Sequence, residues 1–374
     1  MKEKTGLVIF SGYNQRAIIA FLRTLKGNGV ENYVIIARDN QDQILMTEYS
    51  VKVMVVRKDS SLSVGLFGGY ADRMGREYGW DRFLVVPSTE GLNRFLLEER
   101  ETLEKTGYII PLADKDLYVS ISDKRSFARL CQSNGFLIPN EIVFPDSFQG
   151  KFVAKPVTYR FNKDNKVYTP VLIRNEEEYD KFRRTCPLEA YYFQEYLEDG
   201  DCIYLLYYFS KDNRVYYLPQ KNIAQQDDGG SMIISEIYGK NIDEDGLWRS
   251  FFKKNGFNGF LMIEMRKYND KSYVIEANPR FWGPSQLFVD SGYNLFEAFL
   301  SDWGVIQKEP DKDHMDKKVF YYWSGGRIND IKAGKKSHIY VSDKNVLDSV
   351  PEMIDKYDIY RRDDTIEIWR SENA

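Results

Sequence analysis

The sequence predicts a chain of mixed α/β and α+β class. A parallel α/β domain comes first, antiparallel sheets follow, and a small α+β segment closes the chain. Three observations carry this. Strand-like and helix-like runs alternate over the first 118 or so residues, which is the pattern of β-α-β crossovers. From Cys202 onward, apolar runs are joined in pairs by short polar turns, which is the pattern of hairpins. A charged, proline-containing stretch, 307–318, reads as a linker before two more strands, a helix and a final strand.

Leu7 to Phe10 is a short apolar strand, and Ser11-Gly12-Tyr13-Asn14 is the turn after it. Gln15 to Lys26 carries Ile18, Ile19, Leu22 and Leu25 at helical spacing, and Gly27-Asn28-Gly29 stops it. Tyr33 to Ala37 completes a β-α-β unit, whose crossover is right-handed. Ser11-Gly12, at the carboxyl end of the first strand, is a plausible ligand edge, but it is not a dinucleotide fingerprint. Val51 to Val56 and Arg82 to Val86 are further strands, with a helix over Phe67 to Gly79 between them. Ser88 caps a helix from Glu90 to Thr106, which Gly107 ends.

Ser122-Asp123-Lys124 opens a new helix with Phe127, Leu130 and Cys131 on its apolar stripe. Strands follow around Ile142 to Phe144, over Lys151 to Pro156 and, after a polar loop, over Lys166 to Ile173. Asn175 caps a helix over Glu176 to Arg184, and Tyr191 to Tyr196 is a strand. Leu197-Glu198-Asp199-Gly200-Asp201 is turn-like, and Cys202 to Phe209 with Val215 to Pro219 forms a hairpin. Gln225 to Ser231 is a polar loop with glycines. Leu247 to Asn255 and Asn294 to Trp303 are helices. Beyond 318 come strands over Val319 to Trp323 and Ser337 to Val341, a helix over Asn345 to Lys356 and a strand over Thr365 to Trp369. Trp323-Ser324-Gly325-Gly326 lacks the first glycine of a nucleophile elbow and reads as a turn.

The totals narrow the function. At 374 residues the chain is long enough for two or three domains, and its net charge of -4 points away from nucleic acid and from anionic membranes. No apolar run approaches a membrane span, and no signal peptide is expected at the start. The 3 cysteines, Cys131, Cys186 and Cys202, are odd in number and lack ligand spacing, so they read as free thiols in a reducing, cytoplasmic setting. The 2 histidines, His314 and His338, both lie late, which excludes a histidine zinc site or a Ser-His-Asp triad within the first 300 residues.

The richest stretch lies at Gly259 to Arg266 and Lys271 to Asn278, two strands joined through Lys267-Tyr268-Asn269-Asp270. If the turn centres on Asp270, Glu264 faces Glu276, and Asn278 projects to the same side as Glu276. Like charges paired across a ladder are destabilising. Apolar neighbours, Phe260 to Ile263 with Val274 and Ile275, point to burial, and buried carboxylates need a partner. Two carboxylates and an amide oxygen suit magnesium, and Arg280, one strand repeat on, suits a phosphate. The alternative is a hairpin with a solvated acidic face.

Together with Asp123-Lys124, Val153-Ala154-Lys155-Pro156 and Gln194-Glu195-Tyr196-Leu197, these segments resemble the ATP-grasp superfamily in order and spacing. The likeness is to carboxylate-amine ligases of the carbamoyl phosphate synthase, biotin carboxylase and D-alanine ligase type, and it covers roughly 118–300. It implies a Rossmann-like domain over 1–118 and a two-lobed ATP-grasp domain with a small lobe over 119–190 and a large lobe over 191–310. A carboxyl-terminal α+β extension then spans 311–374.

Carried over by residue, the resemblance implies that Lys155 and Lys124 reach the nucleotide phosphates. Gln194, Glu195, Tyr196 and Leu197 line the adenine as an interlobe linker, and Asp201 holds the ribose. Glu264, Glu276 and Asn278 bind one or two magnesium ions, for which manganese is a substitute. Arg280 and Lys155 act on the transferring phosphoryl group. For Lys124 a solvated surface lysine, and for Asp201 a turn aspartate, are the competing readings. The loop from Val157 to Asn165 departs from the family in having no glycine, with Arg160 or Lys163 as side-chain alternatives for closing on phosphates.

The implied reaction is ATP-dependent activation of a carboxylate as an acyl phosphate and its capture by an amine, commonly an amino acid. The partners are small molecules, and a homodimer is in keeping with the family. Two rival readings use the same residues: a kinase acting on a hydroxyl, and a nucleotide-binding protein without turnover.

Overall fold

The computed structural model describes residues 4–374 apart from 59, 199, 240, 241, 243, 311–317 and 341–347. Among the described residues the strands form three sheets. The first holds β1 (Thr5–Phe10), β2 (Tyr33–Ala37), β3 (Val53–Val56), β4 (Arg82–Val85) and β5 (Tyr108–Ile109), all parallel, in the order β3-β2-β1-β4-β5. Such a sheet is covered on both faces. Helix α1 (Gln15–Gly27) packs on one side, and α2 (Val64–Tyr78), α3 (Glu90–Glu98) and α4 (Arg100–Lys105) on the other. Helices α5 (Lys115–Ser122) and α6 (Lys124–Ser133) lead out of this unit.

A four-stranded antiparallel sheet follows, with β6 (Glu141–Ile142), β7 (Phe152–Pro156), β8 (Val171–Ile173) and β9 (Tyr191–Glu195) in the order β6-β9-β7-β8. Helix α7 (Glu176–Thr185) covers it, and Tyr179 and Phe182 join Phe152, Ala154 and Phe193 in a separate small core. The Asn175 side chain accepts the Glu178 N–H at 2.9 Å, as its capping position predicts.

The third sheet holds β10 (Cys202–Phe209), β11 (Val215–Gln225), β12 (Met232–Ile237), β13 (Gly259–Tyr268) and β14 (Lys271–Asn278). Its order is β14-β13-β10-β11-β12-β15, with β15 (Phe320–Tyr322) at the edge and β16 (His338–Ile339) paired to the end of β11. Helix α8 (Asp245–Lys254) packs on one face with α6. Helices α9 (Gln286–Ser291) and α10 (Leu295–Asp302) pack on the other, against α1. The apolar stripe of α1 therefore belongs to two sheets at once: Phe21 touches Phe281 and Phe296 at ring-centroid distances of 5.5 and 5.2 Å.

The carboxyl end corrects the sequence reading twice. Trp323-Ser324-Gly325-Gly326 leads into helix α11 (Ser324–Lys332), not a turn. A Cβ at Gly325 would stand 1.9 Å from the Glu372 carboxylate, and one at Gly326 would stand 2.4 Å from the Trp323 ring, so the glycines serve close packing inside a helix. After α12 (Val350–Tyr357), Ile366–Asn373 is helix α13, not the strand expected over Thr365 to Trp369. Ile366 and Ile368 alternate like a strand, but only Ile368 is buried, in the core shared with α1, and a helix satisfies its own backbone without a neighbouring strand.

Smaller corrections concern ends. Thr89, not Ser88, caps α3, accepting the Leu92 N–H at 3.4 Å; Ser88 is buried with its hydroxyl toward the Phe10 carbonyl. The run from Glu90 breaks at Glu99 into α3 and α4. Helix α5 and strand β12 lie where the sequence reading assigns no element, and β11 runs on past Pro219 to Gln225, the first residue of the expected loop. The return strand shortens to β8, and β3 starts after a 3-10 turn over Glu48–Lys52. Parts of the 307–318 linker, the start of the Asn345 helix, Asp199 and His314 lie outside the described residues. Among the described residues no helix is long and apolar enough to cross a membrane.

Candidate active site

The β13–β14 hairpin turns on Asn269 and Asp270, both at positive φ (48° and 58°), as two-residue hairpin turns require. Tyr268 therefore faces Lys271, and Met265 faces Val274, one step away from a turn centred on Asp270. A β-bulge between the Met265 and Glu264 pairs then inserts Ile275 on β14 and brings Glu264 opposite Glu276. The pairing is the one the sequence predicts, and the bulge is its cause. The bulged residue has a second use. Lys155 Nζ, from the end of β7, donates to the Ile275 carbonyl at 3.1 Å.

Glu264, Glu276, Asn278, Arg280 and Lys155 all line one cavity of about 900 Å³. Asn278 Nδ2 donates to Glu276 Oε1 at 2.8 Å, and Arg280 donates to Asn278 Oδ1 at 3.0 Å. Lys124, at the start of α6, ion-pairs with Glu276. Glu264 lies across from Tyr204 on β10, with the Cys202 thiol 3.6 Å and Arg266 4.0 Å from its carboxylate. Lys155 is 6% exposed. Burial and the neighbouring Lys124 charge push its pKa down to about 7, with Glu264 opposing. Burial lowers Lys124 as well.

The donor set fits a hard divalent cation. Two carboxylates face each other across a ladder, an amide oxygen follows two residues on, and all three open on the cavity. Among the described residues no group of three His, Cys, Asp or Glu side chains could cage a metal by itself. The remaining ligands would be phosphate and water oxygens, which is the habit of magnesium.

Between the small and large sheets, Gln194, Glu195, Tyr196 and Leu197 line the same cavity. Gln194 donates to the Pro139 carbonyl at 3.0 Å and keeps its side-chain oxygen buried without a partner. Glu195 is fixed by the Asn140 N–H and amide, each at 3.0 Å. Asp201 does not line the cavity; it is paired with Lys221 at 3.3 Å. In the glycine-free loop, Arg160 donates to the Asn165 carbonyl and Lys163 pairs with Glu189, and neither lines the cavity. Tyr159 instead docks the loop. Its N–H donates to Asp123 at 3.0 Å, and its ring lies 4.7 Å from the Arg94 guanidinium.

Neither the family models nor the curated proteins compared with the chain give a match. Solved structures do. An ADP complex of N5-carboxyaminoimidazole ribonucleotide synthetase aligns over 100% of both chains at 14% identity, with a TM-score of 0.61. The fold is the ATP-grasp fold. An L-amino acid ligase from Bacillus licheniformis aligns at 14% identity over 83% of this chain and 78% of its own, with a TM-score of 0.56. The biotin carboxylase domain dimer of Hydrogenobacter thermophilus 2-oxoglutarate carboxylase, in complex with MgADP, ADP and bicarbonate, aligns at 12% identity over 81% and 71%, also at 0.56.

The ATP-grasp cleft also holds side chains that sequence reasoning did not single out. Arg266 lies two residues beyond Glu264, on the same strand face, a signal that period-two counting could have found. Its guanidinium lies 4.3 Å from the Tyr340 ring and donates to the Tyr340 hydroxyl at 3.0 Å. Tyr340 and His338 reach the cleft because β16 pairs with β11. Burial and the Arg266 charge hold the His338 pKa below its ordinary value, so this imidazole is neutral near pH 7. Asn14 and Arg16, from the amino-terminal unit, also line the cleft, as do Ser231, Met232 and Trp282.

Proposed function

We propose that the protein is an ATP-dependent carboxylate-amine ligase. The reading rests on one observation above the others: Lys155, Glu264, Glu276, Asn278 and Arg280 converge on a cleft that the interlobe linker also lines. In this reading Gln194, Glu195, Tyr196 and Leu197 take the base, while Lys124 and Lys155 take the phosphates. Magnesium held by Glu264, Glu276 and Asn278 supplies charge neutralisation on the triphosphate.

A substrate carboxylate oxygen attacks the γ-phosphorus, and the bond to the β-phosphate oxygen breaks to release ADP. Arg280 and Lys155 hold the transferring group in line and match its developing charge. The amine nitrogen then attacks the acyl carbon, phosphate departs with the bridging oxygen, and the amine loses its proton. Activation is needed because a free carboxylate has no leaving group. No protein nucleophile takes part.

The test is ADP release with magnesium-ATP against pooled carboxylic acids and amino acids, with Glu276→Ala as the blank. Hydroxylamine trapping separates the outcomes. A ligase yields a hydroxamate; a phosphate ester with no hydroxamate would make the protein a kinase, and nucleotide binding without ADP release would remove catalysis altogether.

A further inference from the structure

Arg16 is the second residue of α1, just past the carboxyl edge of β1, and it lines the cleft. Its guanidinium is held from several sides. NH1 donates to the Met232 carbonyl and to the Tyr321 hydroxyl, each at 3.1 Å, and the group stacks 3.9 Å from the Trp323 ring centroid. Among the described residues no carboxylate lies within ion-pair distance of it. Two acids lie near, and both are already engaged. Glu372 accepts from Trp323 Nε1 at 2.8 Å and from Gln43 at 3.0 Å. Asp358 accepts backbone N–H groups of Ser324, Tyr360 and Arg361 at 2.9, 2.9 and 3.1 Å. A guanidinium preorganised by neutral partners, and in ion-pair contact with no described carboxylate, loses little freedom on taking an anion.

A second, independent observation points to the same place. Trp282 lines the cleft, is 2% exposed, and its indole N–H is buried with no partner. The next residue is Gly283, where a Cβ would stand 3.0 Å from Arg16 NH2. The missing side chain keeps the space beside the guanidinium free.

We propose that this end of the cleft binds a substrate oxyanion, a carboxylate or a phosphate monoester, carried in addition to the reacting group, with Arg16 and the Trp282 N–H as its ligands. That it belongs to an acceptor substrate rests on the ligase reading above. The acceptor is then an acidic amine: an amino acid with a free carboxylate, or an amine bearing a phosphate ester.

Matched pairs test this on the full chain. L-amino acids are compared with their carboxamides, and O-phosphoethanolamine with ethanolamine. Calorimetric binding with magnesium-ADP present is one readout, and ADP release with magnesium-ATP and pooled carboxylic acids is the other. The acidic member of at least one pair should bind about tenfold tighter or more, and the responding pair tells carboxylate from phosphate. Arg16→Gln should shrink that preference to about twofold or less, Arg16→Lys should restore part of it, and Trp282→Phe should weaken it severalfold. If Arg16→Gln does not fold, judged by its thermal midpoint, the lysine and phenylalanine variants decide.

Equal binding of acidic and neutral members, or a preference that survives the variants, overturns the proposal. Acid binding through Arg16 with no ADP release from any pair would keep the oxyanion site and sink the ligase reading. ADP release driven equally by neutral members would do the reverse.

Discussion

Lys155 offers the sharpest test of the electrostatics. Its ammonium is buried, bonded to the Ile275 carbonyl, and pushed down to about 7. A nucleotide phosphate oxygen at about 4 Å, with an effective dielectric near 20, is worth about 4 kcal/mol to the charged form, which returns the group to the ordinary lysine range. Nucleotide binding at pH 8 should therefore put about 0.9 proton on Lys155, because the free amine is mostly neutral and the bound one charged. The sign follows. The free protein's pKa is the lower one, so affinity is greatest below it and falls as pH rises. Between pH 7.5 and 9 the loss should be about 20-fold for ADP. Titration calorimetry at pH 8 in buffers of different ionisation enthalpy measures the uptake directly. Lys155→Met should abolish most of it, leaving the smaller share that Lys124 contributes with the same sign. Uptake below about 0.2 proton in the parent, or undiminished uptake in the methionine variant, would refute this account of the cleft.

Other predictions follow from single contacts. Glu264→Gln and Glu276→Gln should each lower the rate of ADP release by about a thousandfold while sparing magnesium-free nucleotide binding, measured by calorimetry with chelator. Tyr159→Ala removes the contact with Arg94 and should raise proteolytic cleavage within 157–165 about fivefold, a loss of roughly 1 kcal/mol of docking. Arg23→Ala strips Asp364 of a two-pronged partner at 2.7 and 2.8 Å between groups about one-tenth exposed, and should destabilise the fold by about 3 kcal/mol in urea denaturation. Burial raises the Asp364 pKa, but Arg23, with hydrogen bonds from Tyr49 and Thr365, holds it below the ordinary value. That contribution is present above the unfolded-state pKa and is lost as pH falls through the folded one, so the gap between parent and variant should close in acid. Asp201→Ala, which removes a partner of Lys221 outside the cleft, should change ADP affinity by less than about twofold.

The central hairpin was legible because period-two patterning fixes which side chains share a face. Glu276 and Asn278 were placed by that rule alone. The pairing with Glu264 was reached through a turn the chain does not use, and the bulge at Ile275 made up the difference. A bulge leaves no mark in an apolar run, so nothing in Val274-Ile275 announces it. The carboxyl-terminal helix failed the same rule from the other side: two alternating isoleucines imitate a strand, and only tertiary packing decides. Strand β16 was expected as Ser337 to Val341 and proved to be His338–Ile339, yet its consequence, His338 and Tyr340 in the cleft, depends on a partner more than a hundred residues earlier. Arg16 was hidden for a related reason. On the sequence it is one polar residue in an amphipathic helix, and each group that orients it comes from beyond residue 230.

The separate core of the four-stranded sheet has a mechanical consequence. Its apolar residues run from Phe152 to Phe193 and share no cluster with the rest, whereas α1 welds the parallel sheet to the large one. What ties this leaf to its neighbours is polar: Lys155 to Ile275, Tyr159 to Asp123, Arg125 to Glu141 and Arg174 to Asp227. Ties of that kind trade readily for water, at about 1 kcal/mol apiece. Opening of this leaf would part those ties first, while its own core and the two larger units stay packed. On the ligase reading, nucleotide exit would break these polar ties first, and hydrogen exchange should show the tethers opening while amides of β7 and β9 stay protected.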